Sequence, residues 1–167
     1  MSEKRTGNGS TYQIEIRLKS EFTDAEGTGA LALLNGLGLN TARELRTSKI
    51  YEIRGPLNAG QIQLAAKELL CDCVTQEYRL LSHAPQVLNG MNHWRGEGWL
   101  KPSVCDPVGE SVAEAMAEMG LPAPEAVRVG SAYHITGKCH RNQLEKAVLR
   151  SLANPLIHQI KISEARL

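Results

Sequence analysis

One register relates this chain to itself without a gap. Leu18-Lys19 match Leu100-Lys101, Asp24 matches Asp106, Gly27 matches Gly109 and Gly38-Leu39 match Gly120-Leu121, each pair 82 residues apart. The same offset carries Arg46 onto Arg128, Tyr51 onto Tyr133, Ile53 onto Ile135, Gly55 onto Gly137, Gln61 onto Gln143, Ala65 onto Ala147 and Leu70 onto Leu152. Identities gathered at turn glycines and apolar positions in one unbroken register mark a duplication, and a duplication restricts the fold to two copies of one small unit.

Each copy shows the same succession of elements. "YQIEIRL" alternates Ile14, Ile16 and Leu18 with Gln13, Glu15 and Arg17, the period of a half-buried strand. Asp24 and Asp106 stand where a helix N-cap belongs, the second followed by Pro107 at the favoured first helical position. Ala30, Leu33, Leu34 and Leu37, matched by Val112, Ala115, Met116 and Met119, mark a helical face, and Gly38 and Gly120 supply left-handed stops. A middle strand follows, with Leu45, Tyr51 and Ile53 in one copy and Val127, Val129, Tyr133 and Ile135 in the other on one face. Its pause at Ser48-Lys49 or Gly130-Ser131 fits a bulge or a hairpin, and Gly55 and Gly137 end it. A second helix (Ile62, Ala65, Ala66, Leu69 and Leu70; Leu144, Ala147, Val148, Ser151 and Leu152) and a last strand complete a β-α-β-α-β unit.

The expected class is therefore α+β: two tandem units related to the ferredoxin-like plan, residues 12–80 and 94–163, joined by a linker over 81–93, with helices packed on antiparallel sheet. A unit of about 70 residues is marginal alone, so the copies are expected to share a core or join sheets as a pseudo-dimer. Tyr51 and Tyr133 are expected to seal that core with their hydroxyls at its edge. The register also places Gly96 and Gly98 where the first copy has Ile14 and Ile16, which calls for Trp94 or Trp99 to fill the gap or for a local slip.

The charge balance, 19 Lys and Arg against 18 Asp and Glu, shows no clustered basic face and argues against a nucleic-acid partner. An RNA-binding sheet would also need two or three aromatics on its central strands, and Tyr51 and Tyr133 are the two available. No apolar run is long enough to cross a membrane and no secretory leader is evident, so a cytoplasmic protein with free thiols at Cys71, Cys73, Cys105 and Cys139 is expected. Cys71-x-Cys73 lacks the two-residue spacing usual within zinc ligand pairs and aligns with Ala153 and Pro155 at a helix end where small buried residues are wanted; no metal is expected. The dispersed His83, His93, His134, His140 and His158 form no evident nucleophile constellation, so no catalytic residue and no cofactor are expected. Arg46 and Arg128 suit phosphate or carboxylate groups on a partner, or a structural ion pair.

"LKPSVCDPVGESV", "VRVGSAYHITG" and "LANPLIHQIKI" together resemble, in order and spacing, the PurS subunit family of formylglycinamidine ribonucleotide synthetase. The aspartate-proline-x-glycine helix start at Asp106 and the ending at Asn154-Pro155 carry most of the likeness. The first copy resembles the family more weakly, with Ser20 for Pro102, Thr47-Ser48 for Val129-Gly130 and Cys73 for Pro155. The resemblance implies an accessory subunit without chemistry of its own. It would bridge an ATP-using synthetase (PurL) and a glutaminase (PurQ) in purine synthesis and support ammonia transfer between them. It implies oligomers of the single unit too, so further pairing of fused chains is compatible with it. Arg46, Lys49, Lys101 and Arg128 are the partner-binding candidates, Lys49 holding in the first copy the basic position that is Ser131 in the second. Diverged copies can dedicate one half to each partner, as a homodimer cannot. The alternative is a ferredoxin-like regulatory domain that binds a small effector between the copies.

Overall fold

The computed structural model describes residues 9–81 and 93–165. The elements run β1 (Ser10–Leu18), α1 (Ala25–Gly36), β2 (Ala42–Gly55), α2 (Ala59–Ala65), β3 (Gln76–Leu81), β4 (His93–Leu100), α3 (Pro107–Glu118), β5 (Ala126–Gly137), α4 (Arg141–Ser151) and β6 (His158–Ala165). After α2 the chain continues for Ala66–Leu70 with π-helical hydrogen bonding. Six strands form one sheet in the order β3-β1-β2-β5-β4-β6, every neighbouring pair antiparallel. Each copy thus supplies three strands, and the copies join edge to edge through β2 and β5. Most of the linker expected over 81–93 lies outside the described residues: Leu81 still pairs in β3 and His93 already pairs in β4.

The pause in the middle strand is neither a hairpin nor a bulge. β2 pairs with β5 without interruption from Glu44↔Thr136 to Arg54↔Ala126, and the one irregularity falls earlier, between Ala42 and Glu44. At the centre of this ladder Lys49 faces Ser131, which are equivalent residues of the two copies. A dimer of identical units would set two identical side chains against each other there, and two lysines directly opposite repel. Duplication has allowed one to become serine. Ser131→Lys should therefore destabilise the chain by about 0.5 kcal/mol in urea unfolding at low salt, and the loss should shrink in high salt.

The helices cover one sheet face and are exchanged between the copies. Ala30 and Leu34 of α1 pack with Leu144, Ala147 and Val148 of α4 over Leu45, Trp94, Ile135 and Ile162. Met116 of α3 packs with Ile62 and Ala65 of α2, and Ala66 just after it, over Ile14, Ile16, Tyr51, Ile53 and Val127. The first helix of each copy thus completes the core of the other, and neither copy closes a core alone. Tyr51 is buried in one cluster; Tyr133 is half-buried against the other, its hydroxyl donating to the Leu152 carbonyl at 3.5 Å.

The two aspartates do more than cap. Asp24 Oδ1 accepts from the Gly27 amide at 2.8 Å and Oδ2 from the Thr47 amide at 2.6 Å; Asp106 accepts from Gly109 and Val129 in the same way, both at 2.9 Å. Each carboxylate ties a helix start to the middle strand. Gly38 and Gly120 stop α1 and α3 at φ of 92° and 82°. Gly55 and Gly137 end β2 and β5, and Gly137 lies so close to Thr41 that a Cβ would sit 2.2 Å from its carbonyl oxygen.

Two expectations are corrected, and one open alternative is decided. Leu33, Leu37 and Met119 lie exposed rather than on the packed helical face, because a helix lying on a sheet buries a narrower stripe than the apolar residues mark. Cys73 and Pro155 are exposed, not buried, because the turns after the second helices stand at the rim. Gly96 and Gly98 involve no slip: β4 pairs with β5 in the register that β1 keeps with β2, and Trp94 enters the helix-side core while Trp99 lies on the other face.

Candidate functional site

The alternation that sends Ile14 and Ile16 to the helices sends Gln13, Glu15 and Arg17 to the opposite face. That face carries a charged bridge between the copies. Glu15 and Glu97 are equivalent residues, and Arg95 joins them, donating from Nη1 to Glu15 Oε1 and from Nε to Glu97 Oε1, both at 2.9 Å. The side chains of Ser48 and Ala132 lie between and are small, which leaves the arginine room to cross the sheet. Glu15 is 2% exposed and Arg95 3%, so both charges depend on partners and not on solvent. Glu15 also meets His134 Nε2 at 2.5 Å, the Ser48 hydroxyl at 2.5 Å and Arg79 Nη2 at 3.0 Å, while Arg95 Nη2 is buried without a partner among the described residues. Burial alone would raise the Glu15 carboxyl. The hydrogen bond and charge of His134, the Arg95 charge and the Ser48 hydroxyl outweigh it and hold the group well below the usual carboxylate range.

Serine, histidine and glutamate together invite comparison with a hydrolytic triad, but the geometry is wrong for one. In a triad the imidazole stands between the other two, one on each ring nitrogen. Here Ser48 Oγ, at 3.3 Å, and Glu15 approach the same nitrogen, Nε2, and Ser48 donates directly to the carboxylate. The hydroxyl is a buried ligand of Glu15, not a poised nucleophile. The arrangement binds the copies together.

The four partner-binding candidates do not converge. Arg128 pairs with Glu52 at 3.2 Å and lies 5.1 Å over the Trp99 ring, whose indole rests on Gly130. Arg46 stands at the equivalent place in the first copy and reaches the Leu18 carbonyl at 3.5 Å. Lys49 is exposed on the helix-bearing face at the centre of the β2–β5 ladder. Lys101 follows β4, its amide bonded to the Ile157 carbonyl at 2.8 Å.

A second constellation sits at two corners of the sheet. β3 and β6 are its outermost strands, and the turn before each presents an aliphatic side chain to solvent: Val74, 75% exposed, and Leu156, 80% exposed. The two are equivalent residues. In each copy the lysine after the first strand belongs to the turn. The Lys19 amide bonds Thr75 O at 3.0 Å and its ammonium the carbonyls of Cys73 and Val74, as the Lys101 amide bonds Ile157 O. Asp72 and Asn154 hold the turns by accepting from the amides of Val74 and Leu156, at 3.1 and 3.0 Å. The same turn geometry thus holds an exposed aliphatic tip at the equivalent place in both copies.

The repeat register alone would have paired Val74 with Leu156; what it lacks is any sign of exposure. The charged bridge was missed because Glu15 reads as an ordinary outward residue of an alternating strand. Its signal was the replacement of Gln13 in the first copy by Arg95 in the second.

The described residues also form shallow grooves. One of about 210 Å³ lies between the end of α1 and α4, beside Leu37, Lys146 and Arg150, and one of about 190 Å³ beside Glu15, Arg17 and Arg79. Both are smaller than the roughly 300–1,000 Å³ of pockets that enclose small-molecule ligands. Among the described residues no group of three or more His, Cys, Asp and Glu side chains is placed to hold a metal ion, and no helix is long and apolar enough to cross a membrane.

Comparison with protein families gives one result that matches this geometry. The family model PurS, described as phosphoribosylformylglycinamidine (FGAM) synthase, matches the chain twice, over residues 11–83 and 99–165. No curated protein matches it.

Proposed function

Because the chain belongs to the PurS family of FGAM synthase, a family of purine biosynthesis, we propose that it is the small subunit that holds the synthetase and the glutaminase together. In this reading it also supports the passage of glutamine-derived ammonia between them and works in the cytoplasm. The observation that carries the proposal is the pair of equivalent turns at diagonally opposite corners of one rigid sheet. A bridge needs two contact surfaces held at a fixed separation, and the continuous β2–β5 ladder and the exchanged helices fix it.

The turns have diverged in a way that suits different partners. The first presents Cys73, Val74 and Thr75 with the Lys19 ammonium turned onto its carbonyls; the second presents Pro155, Leu156 and Ile157. Such a pair can dedicate one corner to each enzyme. Lys101 beside the second turn and Arg46 and Lys49 on the first copy supply positive charge for acidic groups on the partners, whereas Arg128 already has Glu52.

Val74→Asp and Leu156→Asp test this directly, since an exposed tip tolerates the change without loss of fold. Each variant, mixed with the two enzymes of the same organism in the presence of ATP and glutamine, should lose at least about tenfold in affinity for one enzyme and keep the other, as loss of a central apolar anchor costs. Retention of both enzymes by the double variant would refute the assignment of the turns.

A further inference from the structure

We propose that Cys71 and Cys73 form a thiol–disulfide pair that low-molecular-weight disulfides such as glutathione disulfide oxidise. The proposal is independent of the docking role. The helix-side core of the first copy ends at Cys71, which is half-buried against that cluster, and Cys73 stands two residues on, exposed. Cys73 Sγ reaches the Cys71 carbonyl at 3.9 Å and the Lys67 carbonyl at 3.8 Å, so the exposed thiol lies back over the helix end, towards Cys71. A disulfide spans roughly 4.4–6.8 Å between Cα atoms, and residues two apart cannot be more than about 7 Å from each other.

The turn around the pair is held from three sides. The π-helical end closes with the Cys71 amide on the Ala66 carbonyl at 2.9 Å, Gln76 Oε1 accepts from the Asp72 amide at 3.0 Å, and Lys19 donates to the Cys73 carbonyl at 2.8 Å. The second copy makes the equivalent turn with Ala153 and Pro155, so the fold itself does not require cysteine at either place. Two thiols have been added to a turn that forms without them.

The chemistry is an exchange in two steps. The Cys73 thiolate, the accessible one, attacks one sulfur of glutathione disulfide; that S–S bond breaks, and the departing glutathione thiolate takes up the proton that Cys73 released. The Cys71 thiolate then attacks Cys73 Sγ and expels the second glutathione, which takes up the Cys71 proton. Two protein thiols become one disulfide, and one glutathione disulfide becomes two glutathiones. Burial, followed by the neighbouring Cys73 and Asp72 and offset in part by Lys19, pushes the Cys71 thiol up to about 11. Little of it is thiolate at neutral pH, so closure is the slow step, and the product spans a tight turn of the kind that glutathione reduces again.

The test treats the whole chain with glutathione disulfide at several pH values, quenches with acid, digests it and weighs the peptide Glu68–Arg79, which holds both thiols. At about pH 7 a mixed disulfide at Cys73 should accumulate. Towards about pH 9.5 it should give way to a peptide lighter than the reduced one by two hydrogens and closed to alkylation, with a closure rate rising close to tenfold per pH unit. Cys71→Ala, which copies the second repeat, should trap the mixed disulfide at every pH, and Cys73→Ser should leave the peptide unoxidised. A wild-type peptide that stays reduced, or keeps its glutathione without closing across that range, overturns the proposal.

Discussion

Glu15→Gln should cost the folded chain about 3–5 kcal/mol, the range found when one partner of a buried ion pair is removed. The glutamine fills the same volume, so the loss isolates charge. Among the described residues Arg95 would keep Glu97 as its one acidic partner, with Nη2 unpartnered and almost no solvent to replace the missing carboxylate. Arg95→Met in the same background should cost less than the sum of the two single changes by more than about 1 kcal/mol, because the second change removes the stranded charge. The pH dependence carries a definite sign. A carboxyl depressed in the folded state contributes stability that is fully present above its ordinary value of 4.5 and is lost progressively as the pH falls from there through its much lower folded value, so urea unfolding should separate wild type from Glu15→Gln more widely at pH 7 than at pH 3. A gap that stays constant across that range would mean that Glu15 acts through packing alone.

Gly27→Ala and Gly109→Ala should be comparably damaging, each costing more than about 3 kcal/mol. A Cβ at Gly27 would lie 2.3 Å from the Leu45 carbonyl oxygen, and one at Gly109 2.2 Å from that of Val127. The obstacle is backbone in both cases, so the helix start must lift from the strand and the hydrogen bonds of Asp24 or Asp106 to that strand go with it. Two residues along, Gly29 faces open space, and Gly29→Ala should stabilise the chain by about 0.5–1 kcal/mol through helix propensity. Thermal unfolding of the three variants side by side checks the contrast. Equal effects at Gly27 and Gly29 would contradict the close approach.

Those glycines show what the sequence could tell and what it could not. The offset of Gly27 and Gly109 made them visible as matched turn residues, and the duplication, the element order and the antiparallel class followed from similar matches. The exchange of α1 and α3 between the copies was not legible, because amphipathic periodicity says which residues are buried and not against which element. Leu33 and Leu37 were misplaced for the same reason: apolar spacing marks a face wider than the one a sheet covers. Among the candidate partner-binding residues, Arg46 and Arg128 drew notice as charged residues repeated in the register. Val74 and Leu156 did not, since exposed aliphatics look like core until the turn that carries them is placed. The bridge of Glu15, Arg95 and Glu97 crosses three strand spacings from partners 80 and 2 residues apart in the chain, a juxtaposition that only pairing register creates.

The central claim, that this chain couples two enzymes, is tested most directly by reconstitution. The synthetase and glutaminase of the same organism are assayed for FGAM formation with glutamine and, separately, with ammonia, each with and without the chain. The account predicts that glutamine-dependent turnover requires the chain while ammonia-dependent turnover proceeds without it. Full glutamine-dependent turnover by the two enzymes alone would contradict it.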